Sequence, residues 1–463
     1  MADVECQNCL QRDMRIAELE GKVLALEGKL RDLADKLKPP PPPKPATAQP
    51  PAPAKKATGR KPGGQPGHPP HLKRLLPPER VKETIHYTPD TCRKCNASLP
   101  ATASTNDPPP IRLQVAELPK VIAEITEHQA HSRTCLECQT VTQATIPADI
   151  RAHCTGPHLT ATLSYLAGSH GVSKRGIEEI TEDLFGVPIA LGTVANLEQE
   201  MSRALIPAYQ EAQAAIIAAP VKHVDETGWK QNGKKRWLWA AATSMVVAFV
   251  IHGRRNLDAL QHLVGKAMAG ILCSDRWRVY DYWVLARRQL CWAHLKRNWE
   301  KQVKRGGAAK VVGEAWLEIH RQVFETWHLF RGGGISRVEM DERMVPLAFQ
   351  VSACLDVGVE SRDEKLARFC KRLSGLQMAL WTFTTEEGVE PTNNHAERVQ
   401  RRAVIWRRRS FGCHSADGCR FVERILTTVG TLRLQKRSAV EFLSETLKAH
   451  RTGQKPPSLV VTG

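Results

Sequence analysis

The chain has 463 residues, 42% of them hydrophobic, which exceeds the size at which one core keeps growing and points to several domains. Lysine and arginine outnumber aspartate and glutamate by 66 to 48, and the net charge of +18 favours a polyanionic partner, nucleic acid first, through counterion release from phosphates. No apolar core of signal-peptide length opens the sequence, and the longest apolar run, 237–251, is interrupted by Thr243 and Ser244, so neither secretion nor a membrane span is expected and the location is read as cytoplasmic, on the nucleoid.

Thirteen cysteines include three Cys-x-x-Cys pairs, a spacing suited to metal or redox chemistry in a reducing compartment. The elements follow in chain order. Within residues 1–38, Ile16, Val23, Leu30 and Leu37 share one heptad position and Leu19, Leu26 and Leu33 the other, predicting a parallel two-stranded coiled coil and hence a homodimer or higher oligomer. Lys22 of one chain then faces Glu27 of its partner; the alternative is one amphipathic helix packed on its own domain. Residues 39–80 read as a linker: a proline-rich spacer to Pro53 of about 45 Å, at about 3.1 Å per residue, followed by a basic arm. The arm holds six cations, Arg60, Lys61, Lys73 and Arg74 among them, and no carboxylate between residues 55 and 74. It suits contact with phosphates or a minor groove, the alternative being a basic linker without a partner.

Over 81–150, Cys92 and Cys95 are matched by Cys135 and Cys138, two knuckles able to supply four thiolates to one structural Zn²⁺. The alternating Ile111, Leu113 and Val115, then Val121, Ile122 and Ile125, are consistent with short strands of a zinc ribbon. Cys6 and Cys9 have no second pair nearby and stay unassigned. Over 151–212 the apolar spacing turns helical, and Gly186-Val187-Pro188 divides Ile177, Ile180 and Leu184 from Leu191, Val194 and Leu197, as in a helix-turn-helix. Thr193, Asn196, Gln199 and Glu200 on the second helix are candidates to face a major groove; helix pairs of this kind are also common in cores.

From 213 to 300 the pattern becomes that of strands followed by helices. Val221 to Gly228 runs into HVDETGW, two further strands cover 236–242 and 246–252, and after a helical segment the run Gly270 to Cys273 ends in Ser274-Asp275. Gln289 to His294 reads as a strand or a strand-helix junction. Far downstream, in PTNNHAERVQRR, Asn393 or Asn394 can cap a helix whose first turns carry Glu397, with Arg398, Arg401 and Arg402 on one face beside it and Arg408 and Arg409 further along. Two aspartates and a glutamate converging on a pair of Mg²⁺ ions are what phosphodiester cleavage requires, since carboxylates are the hard ligands such ions prefer.

At GRKPGGQPGH (59–68), the four cysteines, HVDETGW (223–229), SDRW (274–277), CWAHLKR (291–297) and TNNHAER (392–398), the sequence resembles the Asp-Asp-Glu transposases of the insertion sequence 66 group, in the family's order and over most of the chain from about residue 55. The resemblance implies a ribonuclease H-like catalytic fold, with Asp225, Asp275 and Glu397 binding Mg²⁺ or Mn²⁺. It implies cleavage and strand transfer without a covalent protein-DNA intermediate, and double-stranded DNA partners in the element's terminal repeats and the target. Accessory proteins encoded by the element are implied as well.

The fold class is accordingly multidomain α/β: coiled coil, zinc ribbon, helical unit, and a catalytic domain at 213–300 and 385–430. A helical insertion lies between them at 301–384, marked by Val312, Trp316, Ile319, Val323 and Phe330 at helical spacing, and 431–463 is a C-terminal tail. Glu226 points to the opposite side of its strand from Asp225. Cys291 is expected to pack, and His294 to contact phosphate or support a ligand from behind. The competing reading from another class is a dimeric, zinc-containing DNA-binding regulator without chemistry, which has no need of the three acids. A tyrosine or serine recombinase fits poorly, because none of the five tyrosines lies among arginines and histidines as that mechanism requires.

Overall fold

The computed structural model describes residues 75–102, 104, 107–119 and 121–460. The expected coiled coil, the proline-rich spacer and the basic arm lie outside these residues. The chain divides into two units, 39–122 and the remainder. In the first, Cys92 opens a tight turn closed by an Asn96 N–H to Cys92 O bond and flanked by a bridge between Thr91 and Ser98. Ile111, Leu113 and Val115 are fully exposed and form no strand, contrary to expectation; Val121, Ile122 and Ile125 are exposed and equally irregular. Alternation makes a strand only where a neighbour takes the ladder, and none does so there.

The second unit begins, among its described residues, with a hairpin of β1 (Ser132–Thr134) and β2 (Val141–Gln143). Helices α1 (Ala148–Arg151), α2 (Pro157–His170), α3 (Lys174–Phe185), α4 (Leu191–Ala204) and α5 (Ile206–Ala218) follow. The Gly-Val-Pro interruption separates α3 from α4 as expected: Gly186 takes φ +69° to close α3, and Ile177, Val194 and Leu197 are buried on the facing sides.

The main sheet comprises β3 (Val221–Gln231), β4 (Lys234–Ala242) and β5 (Val247–His252) in antiparallel sequence, with β6 (Ile271–Ser274) and β7 (Arg288–Leu290) added parallel on the other side of β3. Its order is β5-β4-β3-β6-β7. Asn232 and Gly233, both at positive φ, make the two-residue turn between β3 and β4, the geometry that matches strand twist. Side chains alternate: Trp229, Leu238, Ala240 and Ala242 pack on one face, Val224, Trp239 and Ala241 on the other. Helix α6 (Leu257–Val264) links β5 to β6 and buries Ala259, Leu260 and Leu263.

Between β7 and the TNNHAER motif the chain is helical: α7 (Trp292–Val303), α8 (Gly307–Arg331), α9 (Arg337–Val359), α10 (Glu364–Ser374) and the short α11 (Thr382–Thr385). Val312, Trp316, Ile319 and Val323 are buried on α8, Phe330 partly so, and Trp316 stacks between Trp292 and Trp299 at centroid distances of 5.3 and 5.4 Å. Three helices complete the unit: α12 (Asn394–Ser410), α13 (Ala416–Leu434) and α14 (Ala439–Thr452). The stretch expected as a tail is thus helical in its larger part, with Phe442, Leu443 and Leu447 of α14 buried.

Helix α13 lies along the outer strand β5. Thr431, Thr427 and Glu423 accept from the N–H groups of Val247, Phe249 and Ile251 at 3.1, 2.9 and 2.6 Å. The match is one of rise: four residues of helix advance about 6 Å and two residues of strand about 6.6 Å. Close approach requires Gly430, where a Cβ would meet Val247 Cγ1 at 2.5 Å. At the opposite edge, Gln289 of β7 donates to Leu380 O at 3.1 Å and accepts from Phe383 N–H at 2.8 Å. Among the described residues no helix is long and apolar enough to cross a membrane.

Candidate active site

The parallel pairing of β3 with β6 sets His223 opposite Cys273. Continued two residues, that register brings Asp225, in the middle of β3, level with Asp275 just past the end of β6, on the same side of the sheet. Pairing of β6 with β7 puts Ser274 opposite Leu290, and the Cys291 N–H donates to Ser274 O at 2.9 Å, so Cys291 follows at the same level. Asp275 is fixed by accepting from the Trp277 N–H at 2.8 Å.

The third acid arrives from α12. Asn393 occupies the position before this helix, but its side chain caps nothing, which corrects the expected cap. The amide is committed elsewhere: Nδ2 donates to Val224 O at 2.7 Å, Oδ1 meets His223 Nδ1 at 3.1 Å, and the Asn393 N–H faces Cys291 Sγ at 3.1 Å. These contacts, with Trp292 N–H on Pro391 O at 3.0 Å, fasten the start of α12 to β3 and to the start of α7. Glu397, one turn later, accepts from Arg297 at 3.0 Å and lies 3.5 Å from His294 Nδ1. Gln400, a further turn on, has its amide nitrogen 2.9 Å from Asp225 Oδ2 when its orientation follows its neighbours.

Charge crowding links the three acids. Burial first, then the Glu226 carboxylate, with Asp275 and Glu397 adding, pushes the Asp225 carboxyl up to about 7. His294 is held below its ordinary value by burial and then by Arg297, while Asp275 and Glu397 act in the opposite sense. Glu226 faces away from Asp225, as strand alternation requires, into a pocket where it accepts from Arg255 Nε at 2.9 Å and from the Tyr280 hydroxyl. Arg255 stacks over Trp277 at 3.8 Å. Cys291 is buried, and its sulfur, His294 and Glu397 have ligand atoms within 4.8 Å of one another.

The remaining sequence candidates lie apart from these acids. Arg398, Arg401, Arg402, Arg408 and Arg409 are exposed along α12, Arg409 also donating to His170 O at 3.0 Å. Arg407, which no pattern in the sequence sets apart from its neighbours, turns inward and bonds Thr227 Oγ1 at 3.0 Å. On α4, Asn196 is exposed and Thr193 half-buried, but Glu200 is buried against Arg451 at 2.8 Å and is unavailable to a groove. Cys92 and Cys95 belong to one unit and Cys135 and Cys138 to the other. The two turns nevertheless share one design: Cys135 N–H to Thr140 O and Gln139 N–H to Cys135 O repeat the bonds around Cys92, and Asn96 and Gln139 take φ of +56° and +57°. Arg60, Lys61, Lys73 and Arg74 lie outside the described residues.

Comparison with known proteins bears on the whole of this region. The family described as "Transposase IS66 family" matches residues 153–420, from the helical unit to α13. Two uncharacterized proteins of Sinorhizobium fredii are similar. One, y4hP, is 23% identical over 414 residues, covering 80% of this chain and 72% of its own. The other, y4qI, is 27% identical over 241 residues, 46% of this chain and 43% of its own.

Proposed function

We propose, for a chain that belongs to the IS66 family of transposases, that it binds the ends of a mobile DNA element and cuts and joins DNA through Asp225, Asp275 and Glu397. The observation that carries this reading is the register of β3 and β6, which aligns Asp225 with Asp275 while the charge of Glu397 is felt at Asp225. Three antiparallel strands followed by two parallel ones, with one acid in the middle of the first and another just past the fourth, support a ribonuclease H-like fold.

Crowded carboxylates at one sheet end suit a hard dication, and the raised Asp225 proton affinity is what such a site has before a cation neutralises it. Bound Mg²⁺ or Mn²⁺ supplies activation of the attacking water or 3′-hydroxyl and stabilisation of the leaving oxygen. The chain's own part is placement. Asn393 and Pro391 hold α12 so that Glu397 reaches the two aspartates, Gln400 orients Asp225, and Arg297 keeps the Glu397 carboxylate turned inward. The exposed arginines of α12, with the arm at Arg60, Lys61, Lys73 and Arg74 and the α4 residues Thr193 and Asn196, are the proposed DNA contacts.

The two like cysteine turns, each closed through the N–H and the carbonyl of its first cysteine, support the reading of a structural Zn²⁺ held by Cys92, Cys95, Cys135 and Cys138. The heptads of residues 16–37 remain the proposed basis of a dimer, and the element's accessory proteins remain proposed partners. A DNA-binding regulator without chemistry leaves the three acids unexplained.

The deciding experiment incubates purified protein and Mg²⁺ with candidate element ends. Strand-transfer products from the wild type, and none from D225N, D275N or E397Q despite retained DNA binding, are expected. Normal joining by D275N or E397Q overturns the triad.

A further inference from the structure

Cys291 stands at the amino-terminal boundary of α7, and its sulfur is faced by the backbone N–H groups of Asn393, His294 and Ala293, the Asn393 contact being 3.1 Å. Burial holds the Cys291 thiol above its ordinary value and these donors act in the opposite sense; a ring of donors of this kind is typical of sulfur bound to a metal. One turn into the helix, His294 Nδ1 is shielded from solvent and lacks a hydrogen-bond partner of good geometry; its nearest acid is Glu397 Oε1 at 3.5 Å. A shielded imidazole nitrogen without a partner needs an explanation. Two ligands about 2.0–2.3 Å from one tetrahedral ion lie roughly 3.3–3.7 Å apart, so the separation of His294 and Glu397 is already that of two ligands on one ion. The sulfur, within 4.8 Å of both, needs only a small contraction.

The geometry points to a second, softer metal site formed by Cys291, His294 and Glu397, selective for Zn²⁺ over Mg²⁺, with one position open. It goes beyond the catalytic reading and shares only Glu397 with it. Thiolate and imidazole are borderline or soft ligands that Mg²⁺ rejects, whereas Asp225 and Asp275 offer only hard oxygen. Glu397 is therefore the one group both sites need, and zinc in the softer site holds it away from the aspartates. Zinc accordingly restrains cleavage that magnesium supports. Half-buried His294 and Glu397 leave an entry path, and Arg297, its side chain 49% exposed, can swing aside to release Oε1.

The test is zinc stoichiometry of the full chain by native mass spectrometry, after equilibration with Zn²⁺ and a chelator of moderate strength. The wild type is expected to hold one equivalent more than His294→Ala, irrespective of zinc on the paired cysteines elsewhere. His294→Cys should restore that equivalent, because a thiolate ligates zinc where alanine cannot; a role in packing alone predicts no such rescue. Cys291→Ser should lose it too, and the histidine pair decides the matter if that buried substitution prevents folding. Equal zinc in wild type and His294→Ala, or no recovery in His294→Cys, overturns the site. These outcomes stand apart from the catalytic reading, whose failure shows as absent strand transfer in zinc-free Mg²⁺ buffer with the stoichiometry difference intact.

Discussion

The Asn393 side-chain amide donates to the Val224 carbonyl oxygen at 2.7 Å, one residue ahead of Asp225, and so ties the helix bearing Glu397 to the strand bearing the first aspartate. Asn393 is 1% exposed, and replacing it with alanine strands the His223 imidazole and the Val224 carbonyl. N393A is expected to lose about 1–3 kcal/mol in denaturant unfolding. Cleavage should fall further than the folded fraction does, because Glu397 loses its register with Asp225. Activity in proportion to the folded fraction would separate the tether from the chemistry.

Asp225 supplies a pH signature. With the folded carboxyl at about 7 against 3.8 for the ordinary group, the folded state retains a proton that the unfolded chain has released between about pH 4 and 7. Metal-free stability therefore falls as pH rises through that window. D225N lacks the ionisation, so above pH 7 and without metal it should be the more stable protein, by on the order of a few kcal/mol. Added Mg²⁺ should close the gap by stabilising the wild type alone. Thermal melts at pH 5 and pH 8 check this, and a wild-type profile flat across the window speaks against it.

Glu226 faces away from Asp225, as strand alternation leads one to expect, and it is held there by partners of its own. Its carboxylate is 2% exposed and paired with Arg255 and Tyr280. E226A leaves the buried Tyr280 hydroxyl and the half-buried Arg255 guanidinium without their acceptor and is expected to cost about 1–3 kcal/mol. Lost activity in E226A then tracks unfolding, whereas D225N loses activity while folded. Circular dichroism alongside cleavage assays distinguishes the two.

Gly430 lies where α13 crosses β5. The Cβ of G430A meets Val247 Cγ1 at 2.5 Å, so helix and strand must separate and the side-chain bonds from Thr427 and Thr431 lengthen. A loss of about 1–3 kcal/mol is expected, with faster hydrogen exchange at Val247 and Phe249. Unchanged exchange there would show that the strain is relieved elsewhere.

Binding to DNA should be steeply salt-dependent. Neutralising Arg398, Arg401 and Arg402 together is expected to flatten the salt slope by about 0.9 for each phosphate these arginines no longer neutralise, while sparing cleavage chemistry more than D275N does at low salt. A slope that stays put moves the phosphate-binding surface off α12.

The sheet strands are legible because their cores are short apolar runs bounded by turn signals, and Asp225 and Asp275 stand out as candidates because they follow such runs. Glu397 is a candidate through its motif alone, with no local signal of its proximity to either aspartate. What the sequence concealed is contact across long separations: the inward turn of Arg407, the Glu200–Arg451 pair and the true use of Asn393 all depend on partners far away in the chain. Asn393 misled for a physical reason, since asparagine before a helix favours capping unless a buried carbonyl competes for the amide. Ile111 to Val115 misled likewise, because period-two alternation says which faces a strand has but not whether a neighbour exists.

Both borders of the sheet meet side chains that take main-chain bonds another strand would want: Thr427 of α13 accepts from the Phe249 N–H on the β5 side, and the Thr382 hydroxyl donates to Arg288 O on the β7 side. The sheet consequently has a fixed width of five strands. A version trimmed of residues 301–384 would bare the β7 border and trade a shorter protein for one prone to stack into fibrils.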